Sequence, residues 1–173
     1  MKIQIIGFSG SGKSTLARIL SKHYNIPVLH LDSVHFYGDW QERTIEEQND
    51  IVLDFINQNK DWVVDGNYSM IASNRFELSD VTIFLAYNRL ICYWNCLKRY
   101  RQHRGKHRLD CPCIEKFDRE FQQWILWKGR TKKRIQKMYS NLNKTQGTKL
   151  VFKNRKQLIR WLKDQHIHNE INE

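Results

Sequence analysis

Short apolar runs alternate along the chain with longer stretches in which apolar residues recur every three or four positions. The short runs are typical of buried β-strands, and the longer period is typical of amphipathic helices. The predicted strands cover residues 2–6, 28–31, 62–65, 81–86 and 149–152. The predicted helices cover residues 14–24, 44–57, 88–101, 114–140 and 154–165. This alternation predicts an α/β three-layer sandwich, in which helices cover both faces of a five-stranded parallel sheet.

The segments between these elements are less regular. The aromatic-rich loop over 33–43 either forms a flap over a substrate or covers the core. Residues 102–113 form a basic connection. The helix over 88–101 is expected to bury Cys92 and Cys96 as small apolar groups. The apolar residues of the same helix are Leu90, Ile91, Trp94 and Leu97, and Trp94 is expected in the core.

The turn between the first strand and the first helix has the sequence GFSGSGKST. It fills every fixed position of the GxxxxGK[ST] pattern, and a strand before it and a helix after it are the context that this pattern requires. Glycines let successive backbone N–H groups point inward as an anion nest, and the helix N-terminus adds its positive dipole end. The turn is therefore predicted to bind ATP through Gly7, Ser9, Gly10, Ser11, Gly12, Lys13, Ser14 and Thr15.

Four polar side chains are assigned chemical roles. Lys13 supplies a mobile positive charge for the β- and γ-phosphates, and the Ser14 hydroxyl is placed to ligate Mg²⁺. Asp65 ends the third predicted strand and is a second magnesium candidate, unless it only forms a turn before Gly66. Asp32 follows the second strand, where parallel sheets bind ligands. It is predicted to orient or deprotonate the acceptor hydroxyl, or to hold magnesium through water; the alternative is a structural cap.

The positive charge of the chain is concentrated in one segment. The net charge is +11, and residues 89–137 hold 15 Lys and Arg against 4 Asp and Glu, which accounts for the whole excess. A charged run is usually a solvated face, but this concentration favours contact with an anion. The anion is either the triphosphate of ATP or the phosphate backbone of a nucleic acid.

Length and composition set further limits. A chain of 173 residues is expected to form one domain, 1–173. No apolar run approaches the roughly 20 residues of a membrane span, and the first strand starts at the N-terminus, so neither a span nor a signal peptide is expected. Four cysteines beside a nucleotide site favour the cytoplasm. Zinc binding by His103, His107, Cys111 and Cys113 stays open, although a one-residue Cys spacing fits zinc poorly.

Several motifs occur together between residues 1 and 165. They are the stretch 7–15, His30-Leu31-Asp32, the stretch 62–69, Arg104-Gly105-Lys106, and Cys113-Ile114-Glu115-Lys116 followed by Phe121 and Trp124. In combination they resemble the nucleoside-monophosphate-kinase group of P-loop proteins, and most closely the small adenylate-kinase-like proteins known as DNA topology modulation proteins. The resemblance implies a P-loop NTPase fold with a short basic lid over about 99–116, which closes over ATP.

The resemblance also implies roles for the arginines of the basic segment. Related kinases place an arginine from the end of the helix before the lid against the adenine or the phosphates, and Arg130 and Arg134 would return from the lid side. The arginines assigned in this way are Arg99 and Arg130 as catalytic residues and Arg101 and Arg104 as ATP-binding residues. Asn67-Tyr68 stands where adenylate kinases have a Phe-Pro-Arg motif that grips AMP, and the lid is short. Both departures argue against AMP as the acceptor.

Two functions fit these features. The first is an ATP- and magnesium-dependent kinase that phosphorylates a nucleotide, a nucleoside or another small acceptor. The second is an NTP-dependent nucleic-acid-binding protein that influences DNA topology, with aromatic residues of the basic segment stacking on bases. Trp94 and Trp124 fall on apolar helix faces and are expected in the core, which favours the kinase. No Asn-Lys-x-Asp guanine motif occurs, which argues against a GTPase.

Overall fold

The computed structural model describes residues 1–38, 40–107 and 110–167. The strands are Lys2–Gly7 (β1), Val28–His30 (β2), Phe36–Gly38 (β3), Gln41–Glu42 (β4), Trp62–Asp65 (β5), Val81–Leu85 (β6) and Thr148–Phe152 (β7). The helices are Lys13–Tyr24 (α1), Leu31–His35 (α2), Ile45–Gln58 (α3), Arg75–Leu78 (α4), Arg89–His103 (α5), Arg119–Leu126 (α6), Lys132–Lys144 (α7) and Arg155–Asp164 (α8). A 3-10 turn, Lys128–Arg130, separates α6 from α7.

Five parallel strands form the main sheet in the order β2-β5-β1-β6-β7. The central strand β1 pairs Ile3 with Val63 on one side and Ile5 with Ile83 on the other. Two apolar clusters accompany the sheet, and α1, α5, α7 and α8 contribute to the larger one while α2 and α3 contribute to the smaller. The α/β three-layer sandwich with a five-stranded parallel sheet is therefore confirmed. Because all five strands run in one direction, their carboxyl ends meet at a single edge.

Short sequence patterns correctly predicted the positions of several helices and strands. Strand β5 has the predicted bounds, and α3 begins with the predicted capping box. In that box the Thr44 hydroxyl accepts a hydrogen bond from the Glu47 N–H at 3.2 Å, and the Glu47 carboxylate accepts one from the Thr44 N–H at 2.9 Å. Reciprocal bonds of this kind satisfy two N–H groups that have no partner inside the helix.

The prediction of one helix over 114–140 was wrong. Asp118 caps α6 by accepting a hydrogen bond from the Phe121 N–H at 2.8 Å, and Thr131 caps α7 by accepting one from the Arg134 N–H at 3.4 Å. Each cap marks the start of a new helix. Gly129 lies between the two helices, and a Cβ at this position would sit 2.8 Å from the Trp124 carbonyl oxygen. The chain therefore bends where no larger residue fits.

Two further expectations were wrong. The segment 33–43 is not a loop, because α2 ends at His35 and an antiparallel β3–β4 hairpin follows. The apolar face of α5 does not point inward: Trp94 is 63% exposed and Leu90 is 60% exposed, whereas Cys92 and Cys96 are fully buried as expected. The space beneath α5 is occupied by the tight P-loop, which admits only small side chains, so the larger residues lie on the opposite side of the helix.

Candidate functional site

The P-loop, residues 7–15, connects β1 to α1 at the carboxyl edge of the sheet. Asn67 holds its first residue from the loop after β5: the Gly7 N–H donates to Asn67 Oδ1 at 2.9 Å, and Asn67 Nδ2 donates to the Gly7 carbonyl at 2.7 Å. No role for Asn67 was predicted from its residue type or its position. Its amide joins two neighbouring strand ends, and this fixes the loop where it leaves the sheet.

Helix α5 supports the middle of the P-loop. Asn95 Nδ2 donates to the Gly10 carbonyl at 2.9 Å. Gly10 has a left-handed φ of +76°, and a Cβ there would lie 2.3 Å from the Cys92 carbonyl oxygen and 2.6 Å from Cys96 Sγ. The contact with the Cys92 carbonyl requires the backbone to move, because this oxygen has no side-chain freedom. The glycine and the two cysteines together let the loop approach the helix backbone.

Replacing Gly10 with alanine is expected to destabilise the fold by about 3 kcal/mol, because overpacking and a left-handed φ each contribute. Gly105→Ala is the matched control: Gly105 has a φ of +72°, but a Cβ there would meet no atom within 4 Å. That variant is expected to lose only about 1 kcal/mol. Urea unfolding measures both, and equal transition midpoints for the two variants would contradict the close packing of Gly10 on α5.

The interior of the P-loop has polar groups that face an anion site. Lys13 Nζ donates to the Phe8 carbonyl at 3.4 Å, a long bond that a phosphate oxygen can replace. The buried Ser11 Oγ has no hydrogen-bond partner in the described part of the chain. A Cβ at Gly12 would meet nothing within 4 Å, so the space above the loop is open. An open cradle of N–H groups with an unsatisfied hydroxyl fits a phosphate chain.

Asp65 contacts the predicted site residue Ser14 and also His30, which was given no role from the sequence. Its side chain is 5% exposed. The Ser14 hydroxyl donates to Asp65 Oδ2 at 3.0 Å, and His30 Nδ1 contacts Asp65 Oδ1. Burial acts to lower the pKa of His30, but its hydrogen bond to Asp65 and the carboxylate charge outweigh this, so the pKa is raised above its ordinary value. A hydroxyl beside a carboxylate at the end of the P-loop is a donor set that suits Mg²⁺.

A metal bound here would need more ligands than the protein offers. Within residues 1–38, 40–107 and 110–167, no group of three or more His, Cys, Asp and Glu side chains is arranged to hold a metal ion. This fits magnesium, which is usually held by one or two carboxylates, waters and substrate phosphates. It gives no support to zinc binding by His103, His107, Cys111 and Cys113, and the His107 Nδ1 instead lies 2.8 Å from the Pro112 carbonyl oxygen.

Asp32 lies in the first turn of α2, because the helix begins directly after β2. Its Oδ1 accepts a hydrogen bond from the Tyr68 hydroxyl at 2.8 Å. Burial raises the pKa of Tyr68, and the charge of Asp32 raises it further, so the phenol remains a donor. Asp32 and Asp65 thus have different partners, although both Asp32 and the P-loop line the same broad cleft. Two carboxylates in separate settings are suited to separate roles.

The structure separates the assigned arginines. Arg99 lines the cleft and donates to Glu115 Oε1 through both Nε and Nη2, at 2.9 and 2.6 Å. Arg101 and Arg104 are exposed and are not among the cleft-lining residues. Lys98, Arg134 and Lys137 line the cleft instead, and of these only Arg134 was considered from the sequence.

Arg130 packs on the outside of the P-loop. Its guanidinium lies 3.7 Å from the centroid of the Phe8 ring. It donates to the carbonyls of Ile125 and Tyr87 at 3.0 and 2.9 Å, while its buried Nη2 has no nitrogen or oxygen partner among the described residues. Burial lowers its pKa. In this arrangement Arg130 supports the loop from behind, and its catalytic role remains a prediction.

The β3–β4 hairpin touches the second half of the predicted lid. The Trp40 N–H donates to Cys113 Sγ at 3.3 Å, its indole N–H donates to the Ile114 carbonyl at 3.1 Å, and the Lys116 ammonium lies 5.0 Å from the ring centroid. Trp40 has a φ of +67°, which is unusual for a bulky residue and is held in place by these contacts. The hairpin and the segment after residue 110 therefore form one wall of the cleft.

No protein-family model matches the chain, and no curated protein matches its sequence. Solved structures match over nearly the whole chain at low identity. TT1252 from Thermus thermophilus is 13% identical, with a TM-score of 0.58 and 96% of each chain covered. A deoxyadenosine kinase from M. mycoides, with dCMP and dCDP bound, is 14% identical, with a TM-score of 0.53, 96% of this chain and 98% of that chain covered.

A shikimate kinase from Bacteroides thetaiotaomicron is 16% identical, with a TM-score of 0.54 and 95% of each chain covered. At such low identity these likenesses show the fold, which is that of a small kinase-like P-loop protein. They give no support to an effect on DNA topology. None of the described helices combines the length and the apolar character that crossing a membrane requires.

Proposed function

We propose that this protein is an ATP-dependent phosphotransferase that moves the γ-phosphoryl group to a nucleotide, a nucleoside or another small hydroxyl-bearing acceptor. The observation that carries the proposal is the Ser14–Asp65 contact at 3.0 Å, beside an open P-loop and across the same cleft from Asp32. Phosphoryl transfer needs positioning and positive charge more than covalent help from the protein. The P-loop, Lys13 and Arg134 supply these at one end of the cleft.

The roles follow from the positions of the side chains. Lys13 holds the β- and γ-phosphates, and Asp32 receives or orients the acceptor proton. Ser14 and Asp65 would hold magnesium, which supplies charge neutralisation at the phosphate oxygens when bound. Glu115 fixes the direction of Arg99, so that its remaining N–H groups can face the phosphates. Closure of the segment 99–116 would exclude water and protect the phosphoryl group from hydrolysis.

The test is ATP-to-ADP turnover against a panel of nucleosides, nucleotides and small alcohols. We expect one class of acceptor to raise turnover well above the rate with water alone, and we expect the phosphorylated acceptor to be recovered in amounts equal to ADP. An ATPase rate that no acceptor changes would contradict the proposal.

One observation favours a second candidate, an NTP-dependent nucleic-acid-binding protein. Trp94 was expected in the core but is 63% exposed, Trp127 is 60% exposed and Trp124 is 36% exposed, and all three belong to the basic segment 89–137. Exposed aromatic rings among cations can stack on bases and contact phosphates. The expected burial of Trp94 therefore no longer counts against a nucleic-acid-binding protein, although a kinase explains the cleft better.

Hydrogen exchange separates the two candidates. Residues 104–107 are exposed and hold two cations, Arg104 and Lys106, which repel one another until an anion lies between them. Cys111, Cys113 and Glu115 are already buried. Arg108 and Leu109 lie outside the described residues. We expect ATP with magnesium to slow exchange both at the P-loop and over the first half of 99–116. Protection of this segment by duplex DNA without ATP, with no response to ATP, would favour the nucleic-acid candidate.

A further inference from the structure

The cleft has an aromatic wall. Four rings follow one another: Tyr68 and His35 are 4.6 Å apart between centroids, His35 and Phe36 are 4.5 Å apart, and Phe36 and Trp40 are 5.2 Å apart. All four residues line the cleft that also contains the P-loop. The wall is formed by α2, the β3–β4 hairpin and the loop after β5. Neighbouring rings are inclined at 37°, 75° and 71°, so the wall presents both ring faces and ring edges, against which a planar group can pack.

Two carboxylates lie at this wall: Glu42, whose Oε1 is 3.4 Å from His35 Nε2, and Asp32. The Tyr68 hydroxyl donates to its Oδ1, and its Oδ2 makes no hydrogen bond in the described part of the chain. A carboxylate accepts several hydrogen bonds when ionised. The free oxygen is therefore ready to accept a hydrogen bond from the hydroxyl of a bound molecule, and it repels an anionic one.

The two arginines closest in sequence to the wall do not face the cleft. Arg43 donates through Nη1 to the carbonyls of Ser33, Val34 and Phe36, at 2.9, 2.8 and 2.8 Å. Arg75 is fully buried and donates to the Tyr68 carbonyl at 2.9 Å and to Gln4 Oε1 at 2.9 Å. Neither arginine is among the cleft-lining residues. Both guanidinium groups instead bind oxygens of the protein. Neither of them is therefore placed to bind a phosphate or carboxylate group in the cleft.

The other cations of the cleft are placed elsewhere. Arg99 is held by Glu115. Apart from Lys116, the remaining Lys and Arg residues that line the cleft lie on helices: Lys13, Arg18 and Lys22 on α1, Lys98 on α5, Arg134 and Lys137 on α7, and Arg155 on α8. Lys116 is the described cation in contact with the wall, where its ammonium faces the Trp40 ring at 5.0 Å. The rings of the wall thus contact two carboxylates and one exposed lysine, whereas the other Lys and Arg residues of the cleft belong to the surrounding helices.

We infer that the acceptor is an uncharged alcohol with a planar ring, of the nucleoside class, and that it carries no phosphate or carboxylate of its own. This inference rests on the proposed kinase function and narrows it. The ring lies on Phe36 and its neighbours, and the hydroxyl points to Asp32. The acceptor oxygen forms a bond to the γ-phosphorus and gives its proton to Asp32, while the bond from that phosphorus to the β,γ-bridging oxygen breaks and ADP leaves.

The test compares adenosine and cytidine with their own 5′-monophosphates and with a cyclic alcohol that bears a carboxylate. Binding is measured by calorimetry in the presence of magnesium and a non-hydrolysable ATP analogue, and phosphoryl transfer is measured as kcat/KM with ATP. We expect at least one nucleoside to bind and to react at least tenfold better than its monophosphate and than the carboxylated alcohol.

Two variants test the wall itself. Phe36→Leu is expected to raise the KM for the nucleoside about tenfold while leaving the Kd for ATP unchanged, because stacking on an aromatic ring is lost. Tyr37→Leu is the matched control, since Tyr37 is on the same hairpin but is 52% exposed and does not line the cleft. A Lys116→Gln variant should keep the preference for the uncharged acceptor.

The outcomes are distinct. A monophosphate or a carboxylated alcohol that reacts better than the nucleosides overturns the inference and leaves the kinase function standing. Equal effects of Phe36→Leu and Tyr37→Leu on the acceptor KM overturn the role of the wall. If no member of the panel is phosphorylated while the ATP analogue still binds, the proposed kinase function fails and the inference fails with it.

Discussion

Replacing Lys13 with alanine is expected to weaken ATP binding on the order of 30- to 100-fold while the fold remains intact. The structure gives Lys13 only a 3.4 Å bond to the Phe8 carbonyl, so its ammonium is available to the phosphates. Loss of one charge-assisted phosphate contact costs about 2–3 kcal/mol, and each 1.4 kcal/mol is about tenfold in affinity. Calorimetric titration with magnesium and ATP measures the change.

Lys60→Ala is the control for this variant, because it removes the same charge from an exposed position before β5, at the opposite edge of the sheet. It should bind ATP as the parent protein does. If the Lys13→Ala variant bound ATP as tightly as the parent protein, the assignment of the phosphate site would be wrong, whichever acceptor the protein uses.

Asp32→Asn is expected to lower kcat by a factor of about 10²–10⁴ and to change the Kd for ATP by less than about twofold. Positioned proton transfer contributes effects of this size. The motivation is the free Oδ2 of Asp32 at the aromatic wall, away from the Ser14–Asp65 pair. The amide keeps the size of the side chain and can no longer take a proton.

Asp65→Asn is the informative comparison for Asp32→Asn. It is expected to weaken the dependence of ATP binding on magnesium, because Asp65 holds the Ser14 hydroxyl. If Asp32→Asn leaves turnover unchanged and instead weakens magnesium–ATP binding, Asp32 belongs to the metal site and the acceptor proton needs another base.

The sequence predicted the sheet and the place of the P-loop within it because both depend on local signals. Strand β5 is a short apolar run with an acidic end, and the P-loop has residue types that few other turns require. Ser14 and Asp65 lie far apart in sequence, yet their contact was predictable, because parallel strands bring their carboxyl ends to one edge. The capping box at Thr44 is local in the same sense.

Features that depend on long-range packing were not predictable. Helical spacing alone placed Trp94 in the core, but the small residues Cys92 and Cys96 face the P-loop, and the large residue is exposed. The spacing of apolar residues identifies one face of a helix, but it does not show whether the neighbouring elements leave space for large side chains on that face. Asn67, Asn95 and Trp40 act through contacts with residues distant in sequence, so no motif indicated them. The break at Gly129 could have been found from the Asp118 and Thr131 caps.

The most direct measurement of the kinase function follows labelled phosphate from γ-labelled ATP in the presence of magnesium and a nucleoside. If the protein is a kinase, we expect the label to appear on the nucleoside in amounts equal to the ADP formed. We also expect Lys13→Ala and Asp32→Asn each to reduce this transfer. Label found only in inorganic phosphate, at a rate that the nucleoside does not change, would contradict the kinase function.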